Sequence, residues 1–235
     1  MFRPLLNLLV VMVTAAGLAA CTSTELATPV ATTIPSMSSK HAVIVVDASN
    51  GRTLYSVDSE MPRYPASLTK MMTLYMLFEA LQLGRTDMTT QIPVSAYAAA
   101  RPPTKIGFRP GDTIDVESAI HALVIKSAND VAVAVAEYLG GTEDRFAAMM
   151  TARARQLGMR STTFRNASGL PDPDQRTTAR DMALLGMTLR ARYPQYYRYF
   201  SQTSFTFRGR NIRGHNDLLG RVQGVDGIKT GYVRA

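Results

Sequence analysis

Pro65-Ala66-Ser67-Leu68-Thr69-Lys70-Met71-Met72-Thr73-Leu74-Tyr75-Met76-Leu77-Phe78 sets a hydroxyl and an amine three positions apart at the mouth of a run that is apolar on nearly every side. The proline and the unbroken apolar run predict a buried helix with Ser67 at its entrance. Residues i and i+3 share a helix face, so the Lys70 amine comes within reach of the Ser67 oxygen, a nucleophile beside a candidate base. With 15 serines and 5 lysines in 235 residues, about 0.3 such pairs arise by chance, so the pair gains meaning only from its surroundings.

Upstream, the β-branched run His41-Ala42-Val43-Ile44-Val45-Val46-Asp47, then Asn50-Gly51, then Arg52-Thr53-Leu54-Tyr55-Ser56-Val57 reads as an antiparallel hairpin that delivers the chain to Ser67. Downstream, the Ser67 helix is expected to stop at Gly84. Residues 92–114, rich in Pro and Gly, read as irregular with short strands. Asp115-Val116-Glu117 opens a helix running to Ile125, its acids suited to the positive helix end. Lys126-Ser127-Ala128-Asn129-Asp130 then forms a turn before a buried Ala/Val helix that stops at Gly140-Gly141. Ser127 and Asn129 also read as simple caps of that helix. Residues 143–157 have helical period, with Phe146, Met149, Met150 and Ala154 on one side. Phe164 to Asp181 is a long loop ending in a capping sequence for a helix over 182–192. Tyr193 to Tyr199 reads as packing, Ser204-Phe205-Thr206-Phe207 as a strand, and 224–232 as a strand carrying Lys229 as an exposed cation.

The composition, 46% hydrophobic, supports one full core. The +8 net charge comes mostly from arginines scattered along the chain rather than gathered in a patch, which argues against a nucleic-acid partner and fits an anionic polymer or membrane surface. Residues 1–20 read as a signal peptide: Arg3 precedes an apolar run, Leu5 to Ala20, that falls short of the ~20 residues needed to span a bilayer. Leu18-Ala19-Ala20-Cys21 resembles the lipobox of bacterial lipoproteins, which would put a lipid on Cys21, the sole cysteine; the other reading is a chance cysteine near a cleavage site. Residues 21–39, rich in Ser, Thr, Pro and Ala, read as a flexible linker. One Cys and three dispersed His offer no zinc-ligand spacing, so neither a metal nor another cofactor is expected.

Ser67-x-x-Lys70, Ser127-x-Asn129 and Lys229-Thr230-Gly231 occur in the order of the three motifs of penicillin-binding proteins and class A β-lactamases, which carry Ser-Asp-Asn in the middle. The hairpin around Asn50-Gly51, Pro65 to Lys70, Asn166-Ala167-Ser168-Gly169-Leu170-Pro171, Thr178-Ala179-Arg180-Asp181-Met182-Ala183 and Val225 to Tyr232 resemble the low-molecular-mass penicillin-binding proteins, the serine-type D-alanyl-D-alanine carboxypeptidases of peptidase family S11. The resemblance covers roughly residues 40–232. It implies an α/β (α+β) fold, an antiparallel sheet flanked by helices with a mainly helical subdomain. It also implies a hydrolase of the bacterial periplasm or cell envelope that trims the terminal D-alanine from peptidoglycan stem peptides and is acylated by β-lactam antibiotics.

On the family pattern Ser67 is the nucleophile. Lys70 is its base, provided that burial, the helix end and a nearby Lys229 cation keep the amine neutral. Ser127 relays the proton to the leaving amine and Asn129 holds the substrate backbone. Lys229 and Thr230 receive the substrate carboxylate, Gly231 lets substrate lie alongside, and the backbone N–H groups of Ser67 and Tyr232 form the oxyanion hole. Glu137 and Glu143, the only glutamates between the second and third motifs, lack the setting of a class A deacylating glutamate. Val233 stands where many relatives carry a hydroxyl. The chain stops at Ala235, where the family continues into further strands and a terminal helix, so residues 40–235 are expected to be a C-terminally incomplete catalytic domain. The remaining alternatives are a D,D-endopeptidase or β-lactamase of the same superfamily, or a catalytically silent envelope-binding protein.

Overall fold

The computed structural model describes residues 41–232, and the signal segment, the linker, Cys21 and Val233 lie outside the described residues. The chain enters as the hairpin β1 (Val43–Val46) and β2 (Thr53–Val57), paired from Val43↔Val57 to Val46↔Thr53 with an irregularity between Val45 and Val46. Its turn is held by the Asp47 carboxylate, which accepts from Ser49 N and Asn50 Nδ2, both at 2.9 Å, while Gly51 takes the left-handed φ of +76° that this turn needs. A 3-10 turn, Ala66–Thr69, then feeds α1 (Lys70–Gln82).

β3 (Gln91–Pro93) pairs antiparallel with β4 (Thr113–Asp115), and the short α2 (Ala96–Ala99) lies between them. Asp115 caps α3 (Val116–His121) through Ser118 N at 2.8 Å, as its position predicts, and α3 passes into a π-helical turn, Ala122–Lys126. Next come α4 (Asn129–Gly140), α5 (Glu143–Gln156) and α6 (Ala179–Arg192), the last capped by Thr178 as expected. After α7 (Pro194–Tyr197) a second hairpin joins β5 (Ser204–Phe207) to β6 (Arg210–Arg213).

The helix α1 is the centre of the body, buried from Lys70 to Phe78 and packed against α4, α5 and α6. A helix apolar all round can only be stable when it is surrounded, which is why the Ala/Val stretch of α4 lies beside it. The tyrosines after α6 are packing groups, as predicted: Tyr193 meets Tyr75 edge-on at 5.1 Å and Tyr196 stacks on Phe78 at 4.9 Å. On α5 the buried stripe is Phe146, Ala147, Met150 and Ala154. Met149 lies about 115° from the centre of that stripe by helical geometry and is 37% exposed, so it does not join the others.

The fold is α+β with antiparallel pairing, as expected. Among the described residues that pairing takes the form of three separate two-stranded ladders. Residues 224–232 are not the strand that the sequence suggests: they make none of the described ladder pairings, and a strand is defined by those hydrogen bonds. Among the described residues, no helix is long and apolar enough to cross a membrane.

Candidate active site

Ser67 sits in the 3-10 turn and Lys70 opens α1, so the i, i+3 spacing works as the sequence predicts: Lys70 Nζ lies 3.2 Å from Ser67 Oγ. The Lys70 side chain is fully buried and meets two further acceptors, Asn129 Oδ1 at 2.8 Å and the Ser168 carbonyl at 2.5 Å. Burial first, and the Lys229 cation second, hold its pKa well below the ordinary lysine range, with Asp130 pulling the other way. Both carbonyls can only accept. A neutral amine has two N–H bonds, and once both point at carbonyls its lone pair is left facing Ser67 Oγ. Such an amine can take the Ser67 proton.

Asn129 and Ser127 come from the turn between the π-helical segment and α4. They are not caps: the N-cap position of α4 is Ala128, which makes no side-chain cap bond. Asn129 Nδ2 donates to Pro102 O at 2.9 Å, which fixes the orientation of the amide that meets Lys70. Ser127 takes a left-handed φ of +59°, costly for a residue with a Cβ. It is held there by Thr104, whose hydroxyl donates to Ser127 O at 2.8 Å and whose carbonyl accepts from Asn129 N at 2.7 Å. Asp130 pins the adjoining loop by accepting from Ile106 N and Gly107 N.

Lys229 is not the exposed cation that the sequence suggests. Its amine reaches across the cleft to donate to Ser127 Oγ at 2.9 Å, and burial lowers its pKa to about 8. Its amine also donates to the carbonyl of Thr230 at 3.0 Å. Gly231 lies against the nucleophile's turn: a Cβ there would sit 3.4 Å from the amide nitrogens of Ser67 and Leu68. Tyr232 is 81% exposed at the rim. Ser67, Ser127, Asn129, Ser168, His215 and Thr230 share a cavity of about 470 Å³.

All the sequence-predicted site residues among the described ones therefore converge on one cleft. Sequence reasoning assigned no role to the Ser168 carbonyl, to the Pro102 carbonyl, or to His215 on the cavity wall. The first two act through backbone atoms, which every residue carries. The one available signal for Ser168 was Asn166, whose side-chain oxygen accepts from Ser168 N and Gly169 N and so shapes the turn. Among the described residues no cluster of His, Cys, Asp and Glu is placed to hold a metal ion.

The family model described as D-alanyl-D-alanine carboxypeptidase, peptidase S11, matches residues 28–235. The chain is similar to D-alanyl-D-alanine carboxypeptidase DacA of Escherichia coli (strain K12), 35% identical over 198 residues that make up 81% of this chain and 49% of the relative. It is also similar to the crystal structure of penicillin binding protein 5 from Haemophilus influenzae, with a TM-score of 0.78, 31% identity, and coverage of 82% of this chain and 57% of that one. A third likeness is to Penicillin-Binding Protein D2 from Listeria monocytogenes in its ampicillin-bound form, with a TM-score of 0.69, 31% identity, and coverage of 82% and 78%. The chain spans about half the length of the curated relatives it matches. On the family match, the shared fold and this identity, the chain belongs to the peptidase S11 family of D-alanyl-D-alanine carboxypeptidases.

Proposed function

We propose that the chain is the catalytic domain, residues 40–235, of a serine D,D-carboxypeptidase that removes the terminal D-alanine from peptidoglycan stem peptides through an acyl-Ser67 intermediate. The observation that carries this reading is the buried Lys70 amine, held between two carbonyls with Ser67 Oγ as its third neighbour. Ser67 Oγ attacks the carbonyl carbon of the penultimate D-alanine while Lys70 takes the hydroxyl proton. The oxyanion is received by the N–H groups of Ser67 and Tyr232. The C–N bond then breaks as Ser127 passes a proton to the leaving D-alanine amine and is reprotonated by the proton that Lys70 took, and water hydrolyses the ester to free Ser67. Lys229 and Thr230 receive the substrate's terminal carboxylate, and the second Nδ2–H of Asn129 holds the peptide backbone.

Glu137 and Glu143, which lack a class A setting in the sequence, are also occupied elsewhere in the fold. Glu137 accepts from Ser95 Oγ, Glu143 is bonded to Ala167 N and Tyr97, and neither lines the cavity. This supports a slow-deacylating enzyme. The wider reading includes export to the bacterial envelope by residues 1–20 and a lipid on Cys21.

Intact mass after incubation with a labelled penicillin tests the reading. A stable adduct that Ser67→Ala abolishes is the expected result. Rapid turnover of the penicillin would instead indicate a β-lactamase, and no adduct a silent binding protein.

The acylation rate should also be bell-shaped in pH. It rises as Lys70 loses its proton, at a pH well below the ordinary lysine value, and falls above about pH 8 as Lys229 loses the charge that attracts the carboxylate. Lys229→Arg stays charged throughout, so the alkaline limb near 8 should vanish in that variant. An unchanged limb in a rate-against-pH series would remove Lys229 from the role.

A further inference from the structure

One buried carboxylate close to this cluster has no part in the proton transfers. Glu143, the first residue of α5, is only 7% exposed. Its Oε1 accepts from Ala167 N at 3.0 Å and its Oε2 from the Tyr97 hydroxyl at 3.0 Å. Tyr97 is braced in turn by Arg101, whose guanidinium lies over the ring at 3.7 Å and whose Nε donates to Tyr97 O at 3.1 Å. Burying a carboxylate costs free energy unless its hydrogen bonds are made, and here both oxygens are engaged by groups on separate segments.

The loop that Glu143 holds has its other side on α1. Ala167 O accepts from Thr73 Oγ1 at 2.7 Å, and the next carbonyl, Ser168 O, accepts from Lys70 Nζ. Thr73 lies one position short of a turn beyond Lys70, so the two consecutive carbonyls sit along one face of α1. Asn166 shapes the turn from within, but only Glu143 ties the Ala167 amide to a helix.

We propose that Glu143 is a positioning residue for acyl transfer: by holding Ala167 N it aims the Ser168 carbonyl at Lys70, and so directs the lone pair of the neutral amine at Ser67. The proposal rests on the acyl-Ser67 reading above. It gives the 97–104 segment control of both carbonyl acceptors of Lys70, since Tyr97 supports Glu143 while Pro102 O orients Asn129. Acylation chemistry is then sensitive to Glu143 although that side chain touches neither substrate nor Ser67.

The test compares Glu143→Ala, Glu143→Gln and Tyr97→Phe in the full chain, separating noncovalent penicillin affinity from the covalent rate constant. Glu143→Ala should lower the covalent step about 10- to 100-fold and change affinity less than about twofold. Glu143→Gln keeps an oxygen for Ala167 N and should restore most of the rate. Tyr97→Phe should slow the covalent step about 2- to 5-fold, and it decides the matter if Glu143→Ala does not fold. An unchanged covalent rate in Glu143→Ala or Tyr97→Phe, a loss confined to affinity, or no rescue by Gln would overturn the proposal. If the wild-type chain takes no penicillin at all, the acyl-Ser67 reading fails by itself. The Lys70 side-chain NMR titration, assigned with Lys70→Met, then still decides the positioning: a midpoint that moves in Glu143→Ala and returns in Glu143→Gln supports it, and an unmoved midpoint overturns it.

Discussion

Lys70→Met is expected to slow acylation of Ser67 by a penicillin about 10²- to 10⁴-fold, the range that a positioned general base supplies. The substitution nearly conserves volume at a fully buried site, so the fold should survive. What it removes is the group that faces Ser67 Oγ with a lone pair while its protons go to Asn129 Oδ1 and Ser168 O. Lys70→Arg sharpens the test. A guanidinium can donate to both carbonyls, yet it stays charged and has no lone pair to accept a proton. If Lys70 acted mainly as a fixed charge, Lys70→Arg would keep its activity; if it acts as a base, Lys70→Arg should be as slow as Lys70→Met. Stopped-flow acylation with a chromogenic β-lactam reads the difference, and an arginine variant within about tenfold of wild type would contradict the base assignment.

The second large effect is expected at Gly169. A Cβ there would fall 1.7 Å from Ala66 O and 2.3 Å from Ala66 C, and the residue sits at φ +85°. Both obstacles are backbone, so no side-chain rotation relieves them. Ala66 is itself in the left-handed region, at φ +47°, immediately before Ser67. Gly169→Ala must therefore push the 166–171 loop away from the nucleophile's turn, taking the Ser168 carbonyl from Lys70. Overpacking and the φ penalty together should cost at least about 2 kcal/mol, lowering the unfolding midpoint by at least about 4 °C. The covalent rate should fall with it. Gly84→Ala separates the two contributions, since Gly84 has φ +65° but open space around it and should lose only about 1 kcal/mol. Equal midpoints for the two variants would show that the contact with Ala66 carries no energy.

Much of the site was legible from local signals. The Ser67 and Lys70 pair needed only the i, i+3 geometry of a helical turn, and the hairpin needed only a β-branched run before Asn50-Gly51 and a returning strand after it. Asp115 and Thr178 announced the helices they cap. Other signals misled because the same residue type serves two purposes. Ser127 and Asn129 are good capping residues, and sequence alone left that reading open; in the fold their side chains face Lys229 and Lys70 instead. Lys229 among small residues looked like a cation in solvent on a strand, yet it is half-buried on irregular backbone.

By itself the sequence determined which functional groups exist and the local turns that present them: a hydroxyl and an amine on one helical face, an amide and a second hydroxyl in a helix-entry turn, and a cation two positions before a glycine. The tertiary structure alone decided what each group faces. The acceptors that strip Lys70 of its free protons lie 59 and 98 positions away, and one of them is a backbone carbonyl. Every residue has a carbonyl, so no side-chain pattern could single out that of Ser168. It is selected by packing: Glu143 and Thr73 hold the loop, and the missing Cβ of Gly169 lets it close on Ala66.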